Sequence, residues 1–232
     1  MSDADAMLEG LFSWQLPQVR RGDTVALAGA EIAVPRGATV GVAGLNGAGK
    51  TTFFLQLLGA LRSGRREAPL LPAVAFQPQE VPVPEMMSIL EFGQLLHGLS
   101  REQVAETLES LAFGPGSGRK VASLSRGERQ FLFLGFTLRQ DADLIILDEP
   151  TASLDMRRRR QAQQLIEDRV GVKDGATVLL SSQLPEVLHR CCQYLIALRK
   201  GVVTYCGPIH TLPGYQHDPT GFEAALLAAI GM

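Results

Sequence analysis

Short apolar runs alternate along the chain with longer stretches of helical periodicity. Runs of strand length occur at Val40–Ala43, Val74–Phe76, Leu144–Leu147, Val178–Leu180 and Tyr194–Leu198. Leu144–Leu147 and Thr177–Leu180 are continuous rather than alternating, as expected of strands covered on both faces. The pattern predicts an α/β fold with a mainly parallel sheet flanked by helices. Near the start, Val25–Leu27 and Glu31–Val34 read as a small antiparallel β-layer, two strands turned at Ala28, Gly29 and Ala30.

Between Gln79 and Leu124 the pattern changes. A proline-rich loop, Val81–Pro84, leads into two predicted helices, about Met87–His97 and Arg101–Ala112. Ser100 with Gln103 three residues later forms the capping-box signature of a helix start. The glycine-rich segment Gly114–Gly118 then breaks the chain. We read 79–124 as a helical subdomain inserted into an α/β core built from 1–78 and 125–232, so that 1–232 is one domain. The charge run Arg157–Arg160 reads as the solvated first turn of a helix.

Composition narrows the function classes. Hydrophobic residues make up 46% and charged residues 20%, enough for a sizeable core and too apolar for disorder. A net charge of −2 lacks the basic excess of a nucleic-acid binder, so nucleic acid is not expected as a partner. Three cysteines, Cys191, Cys192 and Cys206, cannot build a disulfide framework and read as small buried hydrophobes in a reducing compartment. The longest apolar runs, Phe131–Leu138 and Leu144–Leu147, fall far short of the about 20 residues a membrane span needs. The acidic start, Met1–Asp5, lacks the order of a secretory signal. The expectation is a cytoplasmic location, with any membrane role supplied by a partner chain.

Gly44, Leu45, Asn46, Gly47, Ala48, Gly49, Lys50 and Thr51 fit the phosphate-binding pattern G-x-x-x-x-G-K-[ST], between a predicted strand and a predicted helix. Glycines let backbone N–H groups wrap a phosphate, and the helix N-terminus adds partial positive charge. Lys50 would reach the β- and γ-phosphates of ATP, and the Thr51 hydroxyl would ligate Mg²⁺; Thr52 follows in the same turn. Asp148 and Glu149 end an apolar strand at the edge where ligands bind in parallel sheets. Asp148 suits the shell of Mg²⁺, and Glu149 suits a base that orients water toward the γ-phosphate.

Leu124, Ser125, Arg126, Gly127 and Glu128 resemble the signature of ABC ATPases, whose usual form is L-S-G-G-Q. Gln79 resembles that family's glutamine loop, and Ser153–Asp155 its D-loop. The order of motifs is similar over essentially the whole chain. Resemblance implies a cytoplasmic motor subunit of an ABC transporter. ATP would lie between the P-loop of one chain and Ser125 and Gly127 of a second, in a homo- or heterodimer. A separate transmembrane permease subunit would dock near Gln79 and the helical insertion, with Gln79 close to Mg²⁺. Within the family the likeness is to ATPases of the ABC-2, drug- and antibiotic-export kind, which often carry Arg or Lys where Arg126 stands and a terminal helix like Phe222–Ile230.

Two positions depart from the family pattern. The switch histidine is replaced by Gln183, which keeps a donor and an acceptor but cannot carry charge. The adenine-stacking aromatic is replaced by Arg21, whose guanidinium plane can also stack on a base. Trp14 and Phe12 are alternatives for stacking that read better as packing in the β-layer. His97, His189, His210 and His217 do not fall at the switch position and read as structural or surface residues. Two further readings stay open: a catalytically weak ABC module that complements an active partner, and a soluble non-transport ABC ATPase.

Overall fold

The computed structural model describes residues 11–62, 73–114, 118–170, 175–216 and 218–231. The acidic start, His217 and the middle of Gly114–Gly118 lie outside the described residues.

The chain opens with two long strands, β1 (Leu11–Arg21) and β2 (Thr24–Pro35), paired antiparallel as a separate two-stranded sheet. This corrects the reading of Val25–Leu27 and Glu31–Val34 as two strands, since both belong to β2. Gly29 does take a left-handed φ of 82°, but it lies within β2 and does not reverse the chain. A Cβ there would come within 3.3 Å of Leu16 O and Gln18 N, which is why glycine sits opposite Pro17.

The main sheet has strand order β4-β5-β6-β3-β7-β8, comprising β3 (Thr39–Ala43), β4 (Val74–Gln77), β5 (Leu144–Leu147), β6 (Thr177–Ser181), β7 (Tyr194–Arg199) and β8 (Val202–Pro208). Every pairing is parallel except β7 with β8. The expected α/β class with a mainly parallel sheet and a small antiparallel layer is what the chain adopts.

Continuous apolar strands serve two cores. Val40, Val42, Leu144, Ile146, Leu179 and Ile196 face helix α1 (Lys50–Arg62) and the β1–β2 layer. Ile145, Leu147, Val178, Leu180 and Leu195 alternate to the other face. There they meet helices α4 (Arg126–Arg139), α5 (Met156–Val170), α6 (Pro185–Cys191) and α7 (Pro219–Ile230). Phe92, Val104 and Leu108, from α2 (Ile89–His97) and α3 (Arg101–Ser110), extend this second core and pack on α4.

Local capping sets the helix starts. Ser100 and Gln103 form the expected capping box, and so do Ser88 with Glu91 and Ser125 with Glu128. Helix α2 therefore begins at Ile89, two residues after the expected Met87. The arginines Arg157–Arg160 do occupy the start of α5, but Arg158 and Arg159 approach Glu128 and Glu186 at 3.6 Å. His97 is buried against Phe92, Phe133 and Phe136, with Nδ1 2.8 Å from the Gln140 amide. Cys191 and Cys192 are buried as expected; Cys206 is exposed, which corrects its reading as a buried hydrophobe.

Parallel register is what gathers the candidate residues. Val42 stands opposite Ser181, Leu147 opposite Leu180, and Gln77 opposite Leu147. The strands β3, β4, β5 and β6 thus end at one edge. The segments that follow them, Gly44–Thr51, Gln79, Asp148–Glu149 and Gln183, emerge side by side.

Candidate nucleotide site

A cavity of about 670 Å³ opens at that edge. Its walls include Arg21, Leu45, Asn46, Gly47, Gly49, Lys50, Thr51, Thr52, Gln79, Asp148, Glu149 and Gln183. Gly44 and Ala48 shape the loop from behind and do not line it. A Cβ on Gly49, whose φ is 106°, would lie 2.6 Å from Ala26 O, so the loop can pass β2 only as glycine.

The Lys50 ammonium is buried, donating to Gly44 O at 2.8 Å, and Glu149 Oε1 lies 3.6 Å away. Thr51 Oγ1 donates to Asp148 Oδ2 at 2.7 Å. Ser181 Oγ donates to Asp148 Oδ1 at 2.7 Å and accepts from Glu149 N at 2.8 Å. Ser181 was not singled out from sequence. Its only signal was its place at the end of an apolar strand that the fold inserts between the P-loop and the acidic pair.

Glu149 has a φ of 51°, rare for a side chain of its size. Three bonds hold it there: Ser181 on its N–H, and Gln130 Nε2 at 2.7 Å and Ala152 N at 3.2 Å donating to its carbonyl. Gln130 also accepts from Ser153 N at 3.1 Å, tying α4 to both the acidic strand end and the D-loop segment. Glu149 Oε1 is buried without a hydrogen-bond donor. A buried acceptor left open beside a lysine is costly unless something completes it, so the site is shaped for a polar occupant.

The donor set fits a hard divalent cation. The Thr51 hydroxyl and Asp148 carboxylate converge, and Gln79 lines the same cavity. Among the described residues no group of three or more Asp, Glu, His or Cys is placed to hold a metal ion by itself. An ion here would take its remaining ligands from phosphate and water, as Mg²⁺ commonly does.

Ser125 and Gly127 do not join this cavity. Ser125 caps α4, donating to Glu128 Oε2 at 2.7 Å, and these bonds hold the Glu128 carboxyl below its usual range. A Cβ on Gly127 would come 2.8 Å from Ser153 O, so the signature lies directly against the D-loop segment. A second, smaller cleft of about 210 Å³ runs between Gln79, Glu80, Val81, Arg126, Arg129 and Gln130. Gln79, Gln130 and the D-loop segment link the two regions.

Arg21 lines the main cavity, whereas Trp14 and Phe12 are buried and stacked on each other at 5.5 Å, so neither can meet a base. Gln183 is exposed at the cavity wall. Thr24, Val25, Ala26 and Lys200 also line it and were not anticipated from sequence.

A family profile for ABC transporters matches residues 27–152. The chain is similar to the nickel import ATP-binding protein NikO of Rhodobacter capsulatus, 32% identical over 212 residues, covering 79% of this chain and 83% of the relative. It is also similar to the probable multidrug ABC transporter ATP-binding protein YbhF of Escherichia coli, 29% identical over 226 residues, covering 89% of this chain and 38% of that one. A solved ATP-binding subunit of an ABC transporter superposes with a TM-score of 0.77 at 21% identity, covering 94% of this chain and 98% of the other. With the motif order and the convergent P-loop and acidic pair, these likenesses establish that the chain belongs to the ABC transporter family.

Proposed function

We propose that the chain is the ATP-hydrolysing motor subunit of an ABC transporter, with ATP held between the P-loop of one copy and the signature of another. The observation that carries this reading is the cluster Lys50, Thr51, Asp148 and Glu149 around one cavity, with Ser125 and Gly127 facing elsewhere. A site lacking its signature within the chain is completed by a second chain, identical or not.

In the proposed reaction Lys50 neutralises the β- and γ-phosphates, and the P-loop N–H groups orient the tail. Glu149 accepts a proton from water as its oxygen bonds to the γ-phosphorus, while the bond to the β-phosphate oxygen breaks and ADP leaves. Thr51 and Asp148 would hold Mg²⁺, which when bound supplies charge to stabilise the transferring phosphoryl group. Gln79 would join Thr51 and Asp148 in holding the ion, Gln183 would donate to the γ-phosphate, and Arg21 would stack on the base. Ser125 and Gly127 act on the nucleotide of the second chain.

No helix among the described residues is long and apolar enough to cross a membrane. We infer that the chain works at the inner face of a membrane through a separate permease subunit, docked on the helical subdomain 79–124. The narrower ABC-2 export kind rests on Arg126 and the terminal α7, and the multidrug relative is in keeping with it. Gln183 at the cavity wall favours a second reading, a slow module that complements an active partner.

Purification of the chain with its membrane partner, followed by ATP hydrolysis measurements, tests the proposal. Recovery free of any membrane protein, with no ATPase activity in membranes that contain it, would overturn the transport motor.

A further inference from the structure

Strands β7 and β8 are joined by a two-residue turn, Lys200 and Gly201, between the paired Arg199 and Val202. Both turn residues have positive φ, 49° for Lys200 and 78° for Gly201. Such turns favour Asn-Gly or Asp-Gly, because positive φ strains any residue with a Cβ and only Asn and Asp offset this by local hydrogen bonding. Lysine therefore stands where local turn chemistry argues against it, and strain of this kind concentrates at functional sites.

The turn is also fixed in place. Gly201 N donates to Ala48 O of the P-loop at 2.9 Å, and Ala28 N of β2 donates to Gly201 O at 2.8 Å. Lys200 is thereby anchored where the P-loop meets the β1–β2 layer. Lys200 is exposed and is one of the residues lining the nucleotide cavity. Among the described residues it forms no ion pair or hydrogen bond. Lys50, which is buried, and Arg21, at the end of β1 where the base is expected, line the same cavity. Lys200 therefore shares one cavity wall with the P-loop and with the end of β1 and start of β2.

We infer that Lys200 is a further nucleotide-binding residue, a third cation that pairs with the phosphate tail. The inference rests on the proposed nucleotide pocket. It accounts for the strained lysine and for the clamping of its turn to both the P-loop and β2. Lys200 faces solvent, so the pairing contributes to affinity in a salt-dependent way and takes no part in bond cleavage.

Calorimetry of ADP binding to wild type and to Lys200→Asn and Lys200→Arg tests this, with thermal melting alongside. Asn suits the turn, so Lys200→Asn is expected to melt no lower than wild type while binding ADP about five- to tenfold more weakly. Lys200→Arg keeps the charge and is expected to bind ADP close to wild type. The difference between the Asn variant and wild type should shrink in about 0.5 M salt. Unchanged ADP affinity in Lys200→Asn overturns the inference. An equal loss in Lys200→Arg, or a lower melting temperature accompanying the loss, assigns Lys200 to the turn alone and also overturns it. Wild type failing to bind ADP at all would overturn the nucleotide-pocket reading instead.

Discussion

Thr51 Oγ1 donates to Asp148 Oδ2 at 2.7 Å, joining two residues 97 positions apart in the chain. One belongs to the first turn of α1 and the other follows β5, so the bond spans the sheet edge between two strands that are not neighbours. The strand between them, β6, contributes Ser181 to the other carboxylate oxygen. Asp148 is thus fixed from both sides, with one oxygen turned to each.

Ser181→Ala should damage stability and turnover together. The change removes one partner of Asp148 and the acceptor of the Glu149 N–H, at a position only 0% exposed. An unfolding loss of about 1–3 kcal/mol is expected from the unsatisfied buried groups. Denaturant titration and ATPase measurements on the variant check this; unchanged values for both would refute the positioning role.

Lys50→Ala should remove most ATP affinity while leaving the fold intact. A charge-assisted contact of about 1.5–3 kcal/mol corresponds to roughly a ten- to hundredfold loss. Calorimetry with ATP reads it directly, and wild-type affinity in the variant would count against the phosphate assignment.

Glu149→Gln should trap an ATP-bound dimer, because the amide keeps the shape and loses the base. Light scattering with ATP is the measurement. A variant that stays monomeric, in a chain whose membrane complex is active, would rule out the shared-site arrangement.

Gln183→His should raise kcat about ten- to a hundredfold with little change in ATP affinity, since the contact acts mainly in the transition state. Steady-state ATPase of the reconstituted complex distinguishes the outcomes. An unchanged or lower kcat would mean that Gln183 is already competent or is not the switch residue. Brisk hydrolysis by wild type would remove the weak-module reading.

His97 should make stability depend on pH. Burial lowers its pKa from 6.5 to about 4. The unfolded chain then binds more protons between those values, so the contribution is present above about 6.5 and is lost as pH falls toward 4. The loss is on the order of 3 kcal/mol at most. Carboxylates titrate in part of the same window, so the comparison is with His97→Leu, whose stability should fall less between pH 7 and pH 4 in denaturant titrations. Parallel curves for the two proteins would exclude the effect.

Much of the protein was legible in the sequence because its signals are local. Lys50 and Thr51 are recognisable from six neighbours, since wrapping a phosphate constrains a single loop. Leu144–Leu147 announced a strand buried on both faces, because its apolar run leaves no side for water. Ser100 and Gln103 announced a helix start because the cap satisfies donors within one turn. Other features depended on what the chain meets at a distance. Gly29 continues a strand instead of turning it, packed against the β1 backbone at Leu16 and Gln18, a pairing no local pattern records. Ser181 and Gln130 matter through partners 33 and 19 residues away, which only the strand order and the packing of α4 bring together. Lys200 reaches the nucleotide cavity because its hairpin is bonded to the P-loop, whereas along the chain it is merely a lysine before a glycine. The sequence by itself determined which residues can bind phosphate and where strands and most helices form, since those depend on neighbours a few bonds away. Tertiary structure alone decided how Asp148 and Glu149 are held and which cations share the cavity, since those depend on sheet register and long-range hydrogen bonds.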